Sequence, residues 1–349
     1  MEHVHSRCYD KTADRSVHEE KRKIYKYISF RNQRRNKMAL KTKFDFMKFK
    51  MTALLISASV IVVGLLFIVM QKGLDYNIEF NGGYLMQAGF YEKVNISDIR
   101  NAFSAGDFAG IEIQEFSDQN TEKFGTEVVL KVETAQQDIK TLEKNITEVL
   151  NTKFGKDKYE VRQSTSIGPK VGDELKSSTI QAIFWTVLLI LLYITIKFQF
   201  KFAVAAVMAL VHDVSITVGI LSILGFFFGY EISLPVIAAL LTILGYSLND
   251  TIVVFDRIRE NIKKLEGMDF EKMVNTSINE TLVRTLLTGA CSFMVVIILI
   301  IFGGEVIRDL TVTLLIGMIV GTYSSVYVAA PIVVVWENFH HRKRHLKKA

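Results

Sequence analysis

Two hydrophobic rhythms divide this chain. Six apolar blocks, at about 52–70, 179–196, 202–224, 234–255, 285–302 and 310–336, run with few charges. A helix rising 1.5 Å per residue needs roughly 20 such residues to cross a hydrocarbon core about 30 Å thick, so each block predicts a transmembrane helix. Between the first and second blocks the chain is polar and its spacing changes. Alternation predicts strands over 84–90, 110–117 (Ile111, Ile113 and Phe116 against acidic or amide neighbours), 126–133 and 159–165. Ser97 is placed to cap a short helix carrying Ile99 and Phe103. From Thr134 onward, Ile139, Leu142, Ile146, Val149 and Leu150 share one helical face that ends near Gly155. The order β-α-β-β-α-β predicts a ferredoxin-like sandwich with its helices on one face of the sheet, large enough to hold its own core.

The expected fold class is a multi-span α-helical membrane protein with six transmembrane helices and a small α+β ferredoxin-like extracytoplasmic domain. Its divisions are a basic cytoplasmic tail over 1–50, a first transmembrane helix over 51–71, the extracytoplasmic domain over 72–176, a five-helix transmembrane block over 177–336 and a basic cytoplasmic tail over 337–349. A cleaved signal peptide competes for the first block. The run is long for a signal sequence and lacks a small-residue cleavage site before Gln71, so it reads as an uncleaved anchor. Met38 opens MALKTKFDF, which looks like an ordinary start, and the residues before it read as an extension or an upstream start.

Composition agrees with this division. The chain is 50% hydrophobic with a mean hydropathy of +0.25, more apolar than the surface of a soluble globule tolerates. A net charge of +6 raises nucleic acid as a partner. The basic residues, however, gather in the first 50 positions (Lys21, Arg22, Lys23, Arg31, Arg34, Arg35), in short loops and in the tail over 340–348. Loop 197–201 is basic, 225–233 has no basic residue, 256–284 is rich in Lys and Arg, and 303–309 has only Arg308. That alternation places both termini in the cytoplasm and the polar domain outside, and no nucleic-acid partner is expected. Within 256–284, Ile258, Ile262 and Leu265 predict an amphipathic surface helix, followed by a second segment around Met273, Ile278 and Leu282. The two cysteines, Cys8 and Cys291, lie in segments too different to pair or to share a metal.

Ionisable residues inside the apolar blocks carry the candidate chemistry. His212 and Asp213 sit near the middle of the third block, Asn249 and Asp250 in the fourth, and Arg284 at the start of the fifth. A charge at bilayer depth costs a few kcal/mol even on lenient scales, so such groups should face a bundle interior or a water-filled cavity. Two readings stay open. The groups are interhelical glue, worth about 0.6 kcal/mol per contact on average, or they form a proton relay of Asp250, Arg284 and Asp213 supported by Asn249, His212, Asp256 and Arg257. Burial and a nearby arginine act in opposite directions on a carboxyl such as Asp250. Asp256 and Arg257 equally suit a solvated helix start with local ion pairs. Gly317-x-x-x-Gly321, Gly64 and Gly245 suit close helix packing.

At these residues the chain resembles a known family. GYSLNDTIVVFDRIREN over 245–261 is similar to the signature of SecF, the smaller member of the SecD–SecF pair of the bacterial Sec translocase. So are VHDVSITVGILS around Asp213, SINETLVRTLLT around Arg284, FGGEVIRDL from Phe302 and IGMIVGTYSSVYVAAPIV in the last block. GLDYNIEFNGGYLMQ looks like the family's glycine-rich run, with Glu79-Phe80-Asn81-Gly82-Gly83 where an Asp-Phe-Thr-Gly-Gly form is more usual. The similarity spans about 40–340 in order. It implies an RND-type half bundle in the bacterial inner membrane, in which Asp250 and Arg284 serve proton conduction and SecD completes the relay. The partners it implies are SecD as an obligate partner, the SecYEG channel, YidC, the ATPase SecA indirectly, and a translocating preprotein. The function it implies is use of the proton-motive force, with SecD, to complete preprotein translocation across the cytoplasmic membrane.

Two rivals belong to other classes. One is a proton-driven RND-type exporter of small molecules or lipids, against which the external domain is single and small. The other is a passive assembly factor, for which neutralising Asp250 or Arg284 would be harmless. No Ser/His/Asp or Cys/His arrangement, P-loop or metal-ligand spacing stands out, so neither an enzyme nor a cofactor is expected.

Overall fold

The computed structural model describes residues 44–104, 111–115, 123–133, 139–304 and 307–346. The basic cluster over 21–35, Cys8, Met38, the strand end at Phe116, Thr134, and Glu305 and Val306 of the FGGEVIRDL motif lie outside the described residues.

A 3-10 turn, Met47–Phe49, leads into helix α1 (Lys50–Met70). A one-turn helix, α2 (Ile78–Asn81), then precedes the polar domain. The domain runs β1 (Gly83–Phe90), α3 (Ile96–Ser104), β2 (Ile111–Glu115), β3 (Thr126–Glu133), α4 (Ile139–Phe154) and β4 (Tyr159–Ile167). Its sheet has the order β2-β3-β1-β4 with every described pairing antiparallel. This is the split β-α-β arrangement of the ferredoxin-like sandwich. Alternation along β1 sends Tyr84, Met86, Ala88 and Phe90 to one face. There they pack with Ile99 and Phe103 of α3 and with Leu142, Ile146 and Leu150 of α4. The period of two in the strands and of 3.6 in the helices meets in one apolar core.

Five more helical rods follow: α5 (Pro169–Lys197), α6 (Phe200–Phe228), α7 (Leu234–Lys264), α8 (Phe270–Phe302) and α9 (Arg308–Ser324), which continues through a π-helical turn, Ser325–Ala329, into α10 (Ala330–Leu346). With α1 they make, among the described residues, six helices long and apolar enough to cross a membrane. Pro169 starts α5 with φ already set for a helix, and Asp269 caps α8 by accepting from the Lys272 N–H at 3.1 Å. Helices α6, α7 and α9 form the buried centre, whereas α5 and the outer half of α8 present long apolar faces, among them Ile180, Phe184, Leu287 and Met294.

The segment 256–284 departs from expectation. It forms no separate surface helix: α7 runs on to Lys264 and α8 begins at Phe270. These extensions zip together. Ile258 and Ile278 are buried, Asn261 Nδ2 donates to Ser277 Oγ at 3.0 Å, and Arg257 Nε donates to Glu280 at 2.5 Å. An apolar stripe at helical spacing looks the same whether lipid or another helix covers it.

Close backbone contacts set the bundle. A Cβ on Gly64 of α1 would stand 2.5 Å from the Cα of Gly219 of α6, and one on Gly321 of α9 would stand 2.8 Å from Cβ of Ser247 of α7. Gly245 has open space beside it and serves no such contact.

On the sheet side, the chain after α1 is stitched to the turn between α6 and α7. Asn77 N–H donates to Ile232 O at 3.1 Å and Ile232 N–H to Asp75 O at 2.7 Å. Glu79 accepts from the Leu234 N–H at 2.6 Å, capping α7 from a distant residue.

Candidate functional site: a carboxyl cluster within the bundle

Asp213 lies on α6 with no exposed surface. Its Oδ2 accepts hydrogen bonds from Ser247 Oγ at 2.5 Å and Ser324 Oγ at 2.8 Å, and its Oδ1 lies 2.9 Å from His212 Nδ1. Three helices converge on this one carboxyl. Helical spacing explains the convergence: Ser247 stands three residues before Asp250 on α7, and Ser324 three after Gly321 on α9. The missing side chain at Gly321 lets α9 close on Ser247, which brings Ser324 to Asp213. The π-helical turn begins one residue later, where an extra residue per turn re-aims the helix.

Asp250, one turn further along α7, is 2% exposed. Among the described residues its Oδ2 has no hydrogen-bond partner, and the buried Tyr246 Oη and Thr322 Oγ1 share that condition. A buried polar atom without a partner costs on the order of 1–3 kcal/mol. Asp250 thus sits in a small buried polar group with the Tyr246 and Thr322 hydroxyls, whereas Asp213 is held by well-formed serine hydrogen bonds from two other helices. Thr322 and Arg284 are the groups that act on its charge.

The remaining expected residues are scattered. Arg284 is exposed on α8 and forms no ion pair with Asp250 among the described residues. Asn249 also faces outward. His212 stacks on Tyr323 with centroids 6.3 Å apart, and its buried Nε2 has no partner among the described residues. Asp256 pairs with Arg259 at 2.8 Å, and Arg257 bridges Glu260 and Glu280 at 2.5 Å each, so both belong to the ion-paired helix ends remote from the sheet. Ser324, Ser247, Tyr246 and Thr322 were not among the expected site residues. Their signal was a small or polar residue one helical turn from a carboxyl or a packing glycine.

Such a chain is a polytopic helical membrane protein with a ferredoxin-like domain at one end of the bundle and two carboxyls buried inside it. Residues 146–339 match the family described as Protein export membrane protein SecD/SecF, C-terminal. A protein translocase subunit SecF of Desulfurispirillum indicum is 42% identical over 306 residues, covering 87% of this chain and 94% of the relative. That of Vibrio alginolyticus is 38% identical, covering 83% and 88%. Among solved structures, SecDF of Thermus thermophilus superposes with a TM-score of 0.71 at 34% identity, covering 85% of this chain and 39% of that one. A SecDF structure in a super-membrane-facing form gives 0.62 at 35% identity, covering 89% and 41%. The chain belongs to the SecD/SecF family of protein-export membrane proteins, as a SecF-type translocase subunit. It spans about two fifths of the solved SecDF chains.

Proposed function

We propose that this subunit works with a SecD partner in the bacterial inner membrane, using the proton-motive force to complete preprotein translocation. The observation that carries the reading is the pair of buried carboxyls on adjacent helices, one held by serine donors from two other helices and one with an oxygen that meets no donor among the described residues. A carboxyl of the second kind changes its interactions most when it gains or loses a proton. In the relay we propose, Asp250 exchanges the proton, Arg284 responds to its charge across the α7–α8 face, and Asp213 holds the neighbouring helices in one of two arrangements. One charge crossing 100 mV supplies about 2.3 kcal/mol, enough to bias a two-state bundle by tens-fold.

The exposed apolar faces of α5 and α8 suit the other half of a bundle, and the structural relatives are single SecDF chains more than twice as long. Arg284 on such a face would meet SecD. In this reading the polar domain lies outside, both termini lie in the cytoplasm, and SecYEG, YidC and indirectly SecA are the further partners.

The test is export of a reporter preprotein from membranes carrying the chain with its SecD partner, with and without a proton gradient. Asp250→Asn should abolish the gradient-dependent stimulation while the complex still co-purifies. Full stimulation in that variant would refute the relay.

A further inference from the structure

The sheet and the bundle meet at the turn 229–233 between α6 and α7, the hairpin that carries both buried aspartates. Besides the backbone links to Asp75 and Asn77, a side chain of the sheet reaches the turn: Lys131 Nζ of β3 bonds Glu231 Oε1. Their side chains are only 9% and 13% exposed, so both charges are largely removed from water where two parts of the molecule touch. Other charged groups face the pair from each neighbouring element. Glu112 of β2 lies 3.8 Å from the same Lys131 ammonium, and Asp75 acts on Glu231 from the segment after α1. Glu79 is engaged by the Leu234 N–H, and the Arg308 guanidinium stands 5.6 Å over the Tyr230 ring. Among the described residues, Glu112 and Asp75 favour the protonated form of Glu231 and Lys131 favours the charged form.

We propose that this joint is tightened by protons: when Glu231 takes up a proton, the sheet domain docks more firmly on the α6–α7 turn, and when it loses the proton the joint loosens. In an undocked state Glu231 is solvated and behaves as an ordinary carboxyl. Docked, burial pushes it up to about 7, with Glu112 and Asp75 adding to the rise and Lys131 opposing it. The state with the higher pKa binds the proton more tightly. Docking is therefore favoured in acid, and that contribution is lost as pH rises through about 7. A neutral Glu231 does not strand the lysine, because Glu112 remains beside it. The intuitive alternative, an ion pair that latches the joint when both partners are charged, gives the opposite sign. The proposal concerns only how two parts of this chain sit together and stands apart from the relay.

Amide exchange read by mass spectrometry on the full chain in lipid nanodiscs tests it. Peptides covering 74–79 and 229–234 contain the Asn77 and Ile232 amides that bridge the joint. After correction for intrinsic chemical exchange, protection should rise as pH falls below about 7, by up to about tenfold per pH unit. Glu231→Gln, a standing mimic of the protonated form, should hold high protection at every pH. Glu112→Gln, at a half-exposed position, should move the midpoint to lower pH. Protection that stays flat with pH, or that falls in acid, overturns the proposal. So does a pH profile left unchanged by Glu231→Gln.

Discussion

Ser324 Oγ and Asp213 Oδ2 are 111 residues apart in the chain and 2.8 Å apart in the bundle. Their hydrogen bond ties the last span to the third, and Ser247 adds the fourth through the same oxygen at 2.5 Å. The carboxyl thus acts as a pin through three helices. Hydrogen bonds inside membrane bundles are worth about 0.6 kcal/mol on average and up to about 1.7. Ser324→Ala should destabilise the protein within that range in a reversible denaturation assay. Ser247→Ala together with Ser324→Ala should cost more than the sum of the singles, because Oδ2 then loses both donors.

Asp250 and Arg284 should separate stability from function. Arg284 is exposed and makes no ion pair within the described chain, so Arg284→Ala should leave unfolding unchanged within about 0.5 kcal/mol. The same variant should lose gradient-dependent export when assayed with the SecD partner. Large destabilisation of the isolated chain would show that Arg284 is a structural group after all.

Close backbone approach makes a sharper structural prediction. At Gly64 the nearest atoms are the backbone of Gly219, which no rotamer change can move. Gly64→Ala should force α1 and α6 apart at a cost of about 1–3 kcal/mol, the range for overpacked cores. Gly245→Ala meets nothing within 4 Å and should be neutral to slightly stabilising. Thermal melts of the two variants in the same detergent decide the comparison.

The helix ends remote from the sheet give a salt-dependent prediction. Arg257 joins Glu280 across α7 and α8 at 2.5 Å, with side chains 20% and 35% exposed. A double-mutant cycle on Arg257→Ala and Glu280→Ala should return a coupling of about 0.3–1 kcal/mol that shrinks as salt is raised. A coupling indifferent to salt would place the pair in a drier setting than its exposure suggests.

Much of the architecture was legible along the chain. The apolar blocks are long because lipid demands length, and the strands of the polar domain alternate because one face of a sheet is buried; both are properties of neighbouring residues. At 256–284 the same reasoning misled, since the apolar spacing along the chain does not reveal that α8 buries Ile258 while Ile262 stays exposed.

By itself, then, the sequence determined the six spans, the order of the sheet elements and the set of ionisable residues at membrane depth. Only the tertiary structure decided their roles relative to one another. Expectation centred on Asp250 beside Arg284, yet the carboxyl held by donors from two other helices is Asp213, while one oxygen of Asp250 meets no donor among the described residues and Arg284 is exposed. The reason is rotational. Each residue turns a helix by about 100°, so whether two polar groups meet depends on how each rod is rotated and how closely it packs. Contacts as remote in sequence as Gly321 on Ser247 and Gly64 on Gly219 fix that rotation and spacing.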